Sequence, residues 1–155
     1  MRILITGAAG WIARQLTGEL AAAGHELRLT DRVDPAEATV FVPAQAERRH
    51  APLRTDWPYL RGELGDAAHM ASACDGCDAV IHLGASTTGL YEHGRMTMEA
   101  NVLGTWVLAD AAHRAGVGRV LAASSINAYG CFYWRVSGRP VQHVALPLRE
   151  DAACE

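Results

Sequence analysis

The residues best suited to chemistry lie near the start of the chain, in Thr6-Gly7-Ala8-Ala9-Gly10-Trp11-Ile12-Ala13. Gly7 permits a tight turn out of a strand, Gly10 lets the backbone approach a ligand with no Cβ in the way, and Ala13 is small where helix must pack close to strand. The helix that begins at Trp11 presents unpaired N–H groups and the positive end of its dipole, which suits a dinucleotide pyrophosphate lined by Gly7, Ala9, Gly10, Trp11 and Ile12. Asp31 follows about 20 residues beyond the loop, where a carboxylate accepts hydrogen bonds from adenosine ribose hydroxyls. Loop and acid together point to NAD. A 2′-phosphate would meet the charge of Asp31, although the neighbouring Arg32 offsets that repulsion and keeps NADP open. The bland alternatives are an ordinary glycine-rich turn and an aspartate that caps a turn before Pro35.

These residues need a strand before them and a helix after. Arg2 to Thr6 reads as that strand, and from Trp11 the period changes to helical, with Ile12, Leu16 and Leu20 on one apolar face and Gly24 at the C-terminal end. Leu27 to Thr30 reads as a second strand, so the unit implies parallel strands joined by a right-handed crossover. Residues 32–58, rich in Pro, Ala and Arg, predict loop with one short helix near Ala44 to Arg49. Tyr59 to Arg61 is a poor fit to a third strand, Asp66 to Ala73 fits a short helix, and Asp78 to Leu83 a buried strand. A long helix is predicted from Met96 to Ala115, with Val102, Trp106 and Ala109 or Asp110 at helical spacing. Val117 to Ala123 reads as another buried strand, running into Ser124-Ser125, and no helix is evident after Gly130. The alternation predicts an α/β domain over residues 1–155: a Rossmann-like, doubly wound parallel sheet of order 3-2-1-4-5.

Composition excludes several partner classes. The 155 residues are 50% hydrophobic and 20% charged, as expected of one packed domain. A net charge of -3, with no basic run longer than Arg48-Arg49, offers no footprint for nucleic acid or an anionic membrane. No apolar run approaches the roughly 20 residues of a membrane span, and the N-terminus enters a strand directly, so the expected location is cytoplasmic. Cys74, Cys77, Cys131 and Cys154 fit reduced thiols in that compartment. All 14 basic residues are arginine, so the chain contains no lysine.

Other candidates have ordinary readings beside the functional ones. Cys74-Asp75-Gly76-Cys77 has redox or zinc spacing, but no second pair accompanies it, and a turn with free thiols is the better reading; no metal site is expected. His82 fits a satisfied strand histidine better than a ligand or base. Trp11 could pack over cofactor phosphates or on the sheet. Asn101 could be an active-site amide or a structural bond to the neighbouring strand, the second being favoured.

Further segments carry a resemblance. Arg61-Gly62-Glu63-Leu64-Gly65-Asp66, Ile81-His82-Leu83-Gly84-Ala85-Ser86, Asn101-Val102-Leu103-Gly104-Thr105 and Ser124-Ser125-Ile126-Asn127-Ala128-Tyr129-Gly130 follow the cofactor loop in order. Together they resemble the N-terminal part of an extended short-chain dehydrogenase/reductase of the NAD-dependent epimerase/dehydratase and sugar dehydrogenase group. The resemblance implies an adenine contact at Glu63 and Leu64, with glutamate where aspartate is usual. It implies a strand end beside the cofactor at Leu83, Gly84 and Ala85, and Asn101 near the same site. Ser125 would be the catalytic serine, hydrogen-bonding a sugar or sugar-nucleotide hydroxyl or carbonyl as hydride is transferred. The resemblance also implies a homodimer through the helix near residues 96–115.

That family draws its general acid/base from a Tyr-x-x-x-Lys motif, whose lysine lowers the phenol pKa. A lysine-free chain cannot contain it, and Tyr129 and Tyr133 do not replace it. Pro147-Leu148-Arg149-Glu150-Asp151 resembles the segment that usually precedes the motif. The expectation is therefore a chain cut short before its substrate-binding part, binding cofactor without turnover. The alternative is a non-catalytic NAD(P) sensor acting through a protein partner.

Overall fold

A computed structural model describes residues 1–42, 47–87 and 91–125. Tyr129, Tyr133, Cys131, Cys154 and the segment from Pro147 to Asp151 lie outside the described residues. The chain divides into two compact units, Met1–Ala122 and Ala123–Glu155.

Within the first unit β1 (Arg2–Thr6), α1 (Trp11–Ala22) and β2 (Glu26–Asp31) form the parallel unit read from the sequence, with β1 and β2 in register from Arg2 opposite Glu26 to Thr6 opposite Thr30. A 3-10 turn over Pro35–Glu37 leads into an antiparallel hairpin, β3 (Thr39–Val42) and β4 (Glu47–His50). Next come β5 (Tyr59–Arg61), α2 (Ala67–Cys74), whose Asp66 cap accepts the His69 N–H, and β6 (Ala79–His82). The chain then runs through α3 (Gly94–Met98), a widened π turn over Glu99–Leu103, α4 (Gly104–Arg114) and β7 (Arg119–Ala122). The main sheet has the order β5-β2-β1-β6-β7 with every pairing parallel. Setting the hairpin aside, this is the predicted 3-2-1-4-5 sheet.

Alternation along β1 assigns its side chains to two cores. Leu4 joins Val80 with Met70, Ala73 and Cys74 of α2 and Val107, Leu108, Ala111 and Ala112 of α4. Ile3 and Ile5 join Leu27 and Leu29 with Ala13 of α1. Both faces of the sheet are thus covered by helices. Arg28 reaches from β2 to the carbonyls of Ser72, Ala73 and Asp75, so one guanidinium satisfies the C-terminal end of α2.

Four local expectations change. Glu47–His50 is a strand of the hairpin rather than part of a helix near Ala44 to Arg49, because cross-strand pairing with Thr39–Val42 overrides weak local propensity. On α1 the buried residue is Ala13, whereas Ile12 is exposed and Leu16 half-buried; only a small side chain fits where the helix crosses the sheet. The predicted long helix is split by the π turn, and its core stripe is Gly104, Val107, Leu108, Ala111 and Ala112. Val102 and Trp106 lie on the opposite face, Trp106 being 65% exposed. Arg119–Ala122 was expected to be buried but is exposed throughout, as the outermost strand among the described residues.

Candidate cofactor site

The C-terminal ends of β1, β2 and β6 meet at the glycine loop. Gly7 has φ +69, and a Cβ placed there would lie 2.7 Å from the Gly84 nitrogen and 2.8 Å from Gly84 Cα and Leu83 C. The loop turn and the end of β6 therefore touch backbone to backbone, in space that only glycine leaves open.

The loop's own amides are used in shaping it. Ala8 N–H donates to the Thr30 carbonyl at 3.2 Å, Gly10 N–H to the Gly7 carbonyl at 2.9 Å, and Ala9 N–H to Asp31 Oδ2 at 3.0 Å. Helix α1 then opens at Gly10 without a side-chain cap. The amides of Trp11 and Ile12 donate to nothing among the described residues, so the first turn of α1 offers the donors that an anion would take. Both side chains point away from the cores, Trp11 being 65% and Ile12 56% exposed, so Trp11 does not pack on the sheet.

Asp31 serves the loop as well as any ligand. Its Oδ1 accepts the Val33 N–H at 3.1 Å while Oδ2 holds Ala9. Each carboxylate oxygen keeps a further lone pair, enough for two ribose hydroxyls. The following segment is pinned by Tyr59, whose hydroxyl donates to the Val33 carbonyl at 2.7 Å. Burial, reinforced by Asp31 and Asp34, pushes the Tyr59 phenol pKa up and keeps it a donor. Arg32 is exposed, and its guanidinium has no partner among the described residues. Arg14 of α1 donates to the Ala9, Ala51 and Pro52 carbonyls, tying the loop to the chain that leaves the hairpin. Sequence reasoning missed this role; the only signal was an arginine one turn into the helix.

Around the other side, Leu64 lies against both Gly84 and Gly104, and Glu63 is exposed beside it. Leu83 is half-buried, Gly84 buried and Ala85 exposed. Asn101 spends its amide on Ser86, accepting the backbone N–H at 2.7 Å and donating to the carbonyl at 2.9 Å. Ser125, just beyond β7, is exposed and belongs to the second unit. Cys74 and Cys77 are buried, free thiols in the core, with burial pushing Cys74 up to about 11, so neither is poised as a thiolate. Among the described residues, no cluster of His, Cys, Asp and Glu could hold a metal ion, and no helix is long and apolar enough to cross a membrane.

This arrangement has counterparts. The family model described as "NAD dependent epimerase/dehydratase family" matches residues 3–149. A 3 beta-hydroxysteroid dehydrogenase/Delta 5-->4-isomerase of Mycobacterium tuberculosis is 35% identical over 132 residues, covering 80% of this chain and 31% of its own length. A uronate dehydrogenase of Pseudomonas putida is 31% identical over 152 residues, covering 97% of this chain and 49% of its own. A solved short-chain dehydrogenase/reductase superfamily protein of Agrobacterium tumefaciens with bound NAD aligns with TM-score 0.72 at 30% identity, over 99% of this chain and 39% of that one. The chain thus spans between about a third and a half of the length of these relatives. With a family-model match that runs from β1 through the glycine loop, the acid after β2 and the rest of the parallel sheet, the chain belongs to the NAD dependent epimerase/dehydratase family.

Proposed function

We propose that this chain is the NAD-binding part of an oxidoreductase, epimerase or dehydratase acting on a sugar or sugar-nucleotide hydroxyl. The observation that carries the reading is the cradle at Gly7, where a Cβ would fill the space against Gly84, below an uncapped α1. In this reading the Trp11 and Ile12 amides hold the pyrophosphate and Asp31 holds the adenosine ribose. Glu63 and Leu64 lie on the adenine side, and Leu83, Gly84 and Ala85 flank the cofactor. Asn101 acts on this site through Ser86. Bound NAD supplies the hydride acceptor. Ser125 hydrogen-bonds the substrate oxygen. The sugar assignment is supported by the uronate dehydrogenase match over nearly the whole chain, and by a dTDP-glucose 4,6-dehydratase of Streptomyces antibioticus at 33% identity over 140 residues.

The 155 residues hold no lysine, so no lysine ammonium is present to lower the pKa of a tyrosine that would take the substrate proton. The purified chain should therefore bind NAD in a calorimetric titration and produce no NADH when mixed with uronates or sugar nucleotides. Steady NADH formation would overturn the loss of turnover, and a folded sample that binds no nucleotide would overturn the cofactor reading.

The exposed face of Met98, Val102 and Trp106 supports a homodimer through this helix. Trp106→Glu should convert a dimeric species to monomer in sedimentation equilibrium. A wild-type chain that is monomeric at every concentration would remove the proposal.

A further inference from the structure

Near the end of β6 the hydrogen bonds run in one direction. Thr105 Oγ1 lies 2.7 Å from the Asn101 carbonyl, which can only accept, so the hydroxyl proton goes there. Thr105 Oγ1 must then accept from His82 Nε2–H, 3.0 Å away. In a neutral ring His82 Nδ1 is left as acceptor, and it takes the Thr6 hydroxyl proton at 2.7 Å. Thr6 Oγ1 in turn accepts the Gly84 N–H at 3.1 Å. The chain thus links Gly84, Thr6, His82, Thr105 and Asn101, and Asn101 clamps Ser86 from the far end.

We propose that His82 is a positioning residue for the cofactor site, holding the Leu83 to Ser86 segment against the glycine loop through this chain. The proposal rests on the NAD reading above. Gly84 is the contact that matters, because its nitrogen lies 2.7 Å from the place a Gly7 Cβ would occupy. Small displacements of Gly84 therefore press on, or open, the turn that shapes the loop. His82 is buried at 6% exposure with both ring nitrogens hydrogen-bonded, so its nitrogens set the segment's position.

The arrangement requires the neutral ring. Protonation would turn Nδ1 into a donor facing Thr6, whose own proton would lose its acceptor. The charged groups on the elements around the ring are Arg2 on β1, Glu63 and Asp66 beside Leu64, and Glu99, paired with Arg95, in the π turn. Asp110, His113 and Arg114 lie further along α4, and Arg119 on β7. None of them is bonded to the ring among the described residues. Burial alone lowers the His82 pKa, in agreement with the neutral form. Below the unfolded value of about 6.5 the unfolded chain takes up a proton that the folded chain resists, so stability falls as pH drops through the folded pKa.

His82→Phe keeps a ring and removes both nitrogens. His82→Asn restores an acceptor near Nδ1, and His82→Gln a donor near Nε2. The proposal expects NAD affinity about tenfold weaker in His82→Phe, corresponding to the loss of about one hydrogen bond's worth of positioning, with partial recovery in His82→Asn. It also expects wild-type affinity to weaken as pH falls through the titration of the His82 ring, which burial moves below its ordinary value, and that of His82→Asn to stay flat over the same range. His82→Phe binding within twofold of wild type, or wild-type affinity that does not change through the ring's own titration, would overturn it. If His82→Phe does not fold, ring nitrogen NMR of the wild-type chain decides: a neutral Nε2–H tautomer at pH 7 is expected, and the Nδ1–H tautomer or a charged ring would overturn it. If the wild-type chain binds no NAD, the NAD reading fails separately. Amide exchange at Gly84 and Ser86 then reads the proposal alone, being expected to speed up in His82→Gln and overturning it if unchanged.

Discussion

Gly7→Ala should abolish NAD binding and lower the thermal midpoint by on the order of 10 °C. Two costs add at this position. An L-residue at φ +69 sits in the left-handed region, which costs about 1–2 kcal/mol. The new Cβ would also lie 2.7–2.8 Å from Gly84 and Leu83 backbone atoms, which no rotamer change can move aside. Overpacking of this kind costs about 1–3 kcal/mol, and for a chain of this size each kcal/mol shifts the midpoint by about 2–4 °C. Binding suffers more than stability, because relief of the clash must separate the glycine loop from the end of β6. Gly18→Ala is the internal control, since that glycine lies on α1 with nothing within 4 Å of an added Cβ and should gain about 1 kcal/mol. Calorimetric titration and thermal melts of both variants check the contrast. A Gly7→Ala protein that binds NAD like wild type would mean that the close approach does not form the site.

What the sequence revealed depended on how local its physics is. The glycine loop was legible because a tight turn, an approach without Cβ and an uncapped helix each demand a residue type at a fixed place. Asp31 was legible for the same reason, since the end of β2 lies beside that loop in any such unit. The hairpin was not legible: Glu47-Arg48-Arg49-His50 has little strand propensity and becomes a strand only when paired with Thr39–Val42. The sheet-facing stripe of α4 was not legible because it is built largely from small residues such as Gly104, Ala111 and Ala112, whereas the large apolar residues at helical spacing, Val102 and Trp106, lie on the other face. The arginines were invisible in another way. Arg28 holds three carbonyls and Arg14 two in distant segments, and nothing near them in sequence announces those partners. The His82 chain joins residues 23 and 76 positions apart, so the sequence could reach only the general expectation of a satisfied strand histidine.

Asp31→Asn should weaken NAD binding by about 100-fold without creating a tight NADP site. The usual logic treats the acid after β2 as a discriminator, repelling a 2′-phosphate and accepting ribose hydroxyls. In this chain the carboxylate also holds Ala9 N–H at 3.0 Å and Val33 N–H at 3.1 Å, one on each oxygen. Asparagine keeps one accepting oxygen, but its NH2 group must face an amide N–H, donor against donor. One of the two backbone bonds is lost, together with the ribose bond on the same side. Hydrogen bonds to a charged group contribute about 1.5–3 kcal/mol each, and this half-buried site falls toward the lower end, giving about 3 kcal/mol for the pair. Removing the negative charge would let the exposed Arg32 guanidinium meet a 2′-phosphate, yet one of the two backbone bonds by which Asp31 holds the glycine loop and the segment after β2 would already be lost. The variant's NADP affinity should therefore stay below the wild-type affinity for NAD, with both measured by titration at one ionic strength. If Asp31→Asn instead bound NADP as tightly as the wild-type chain binds NAD, the carboxylate would be a discriminator only, and the loop would hold its shape without it.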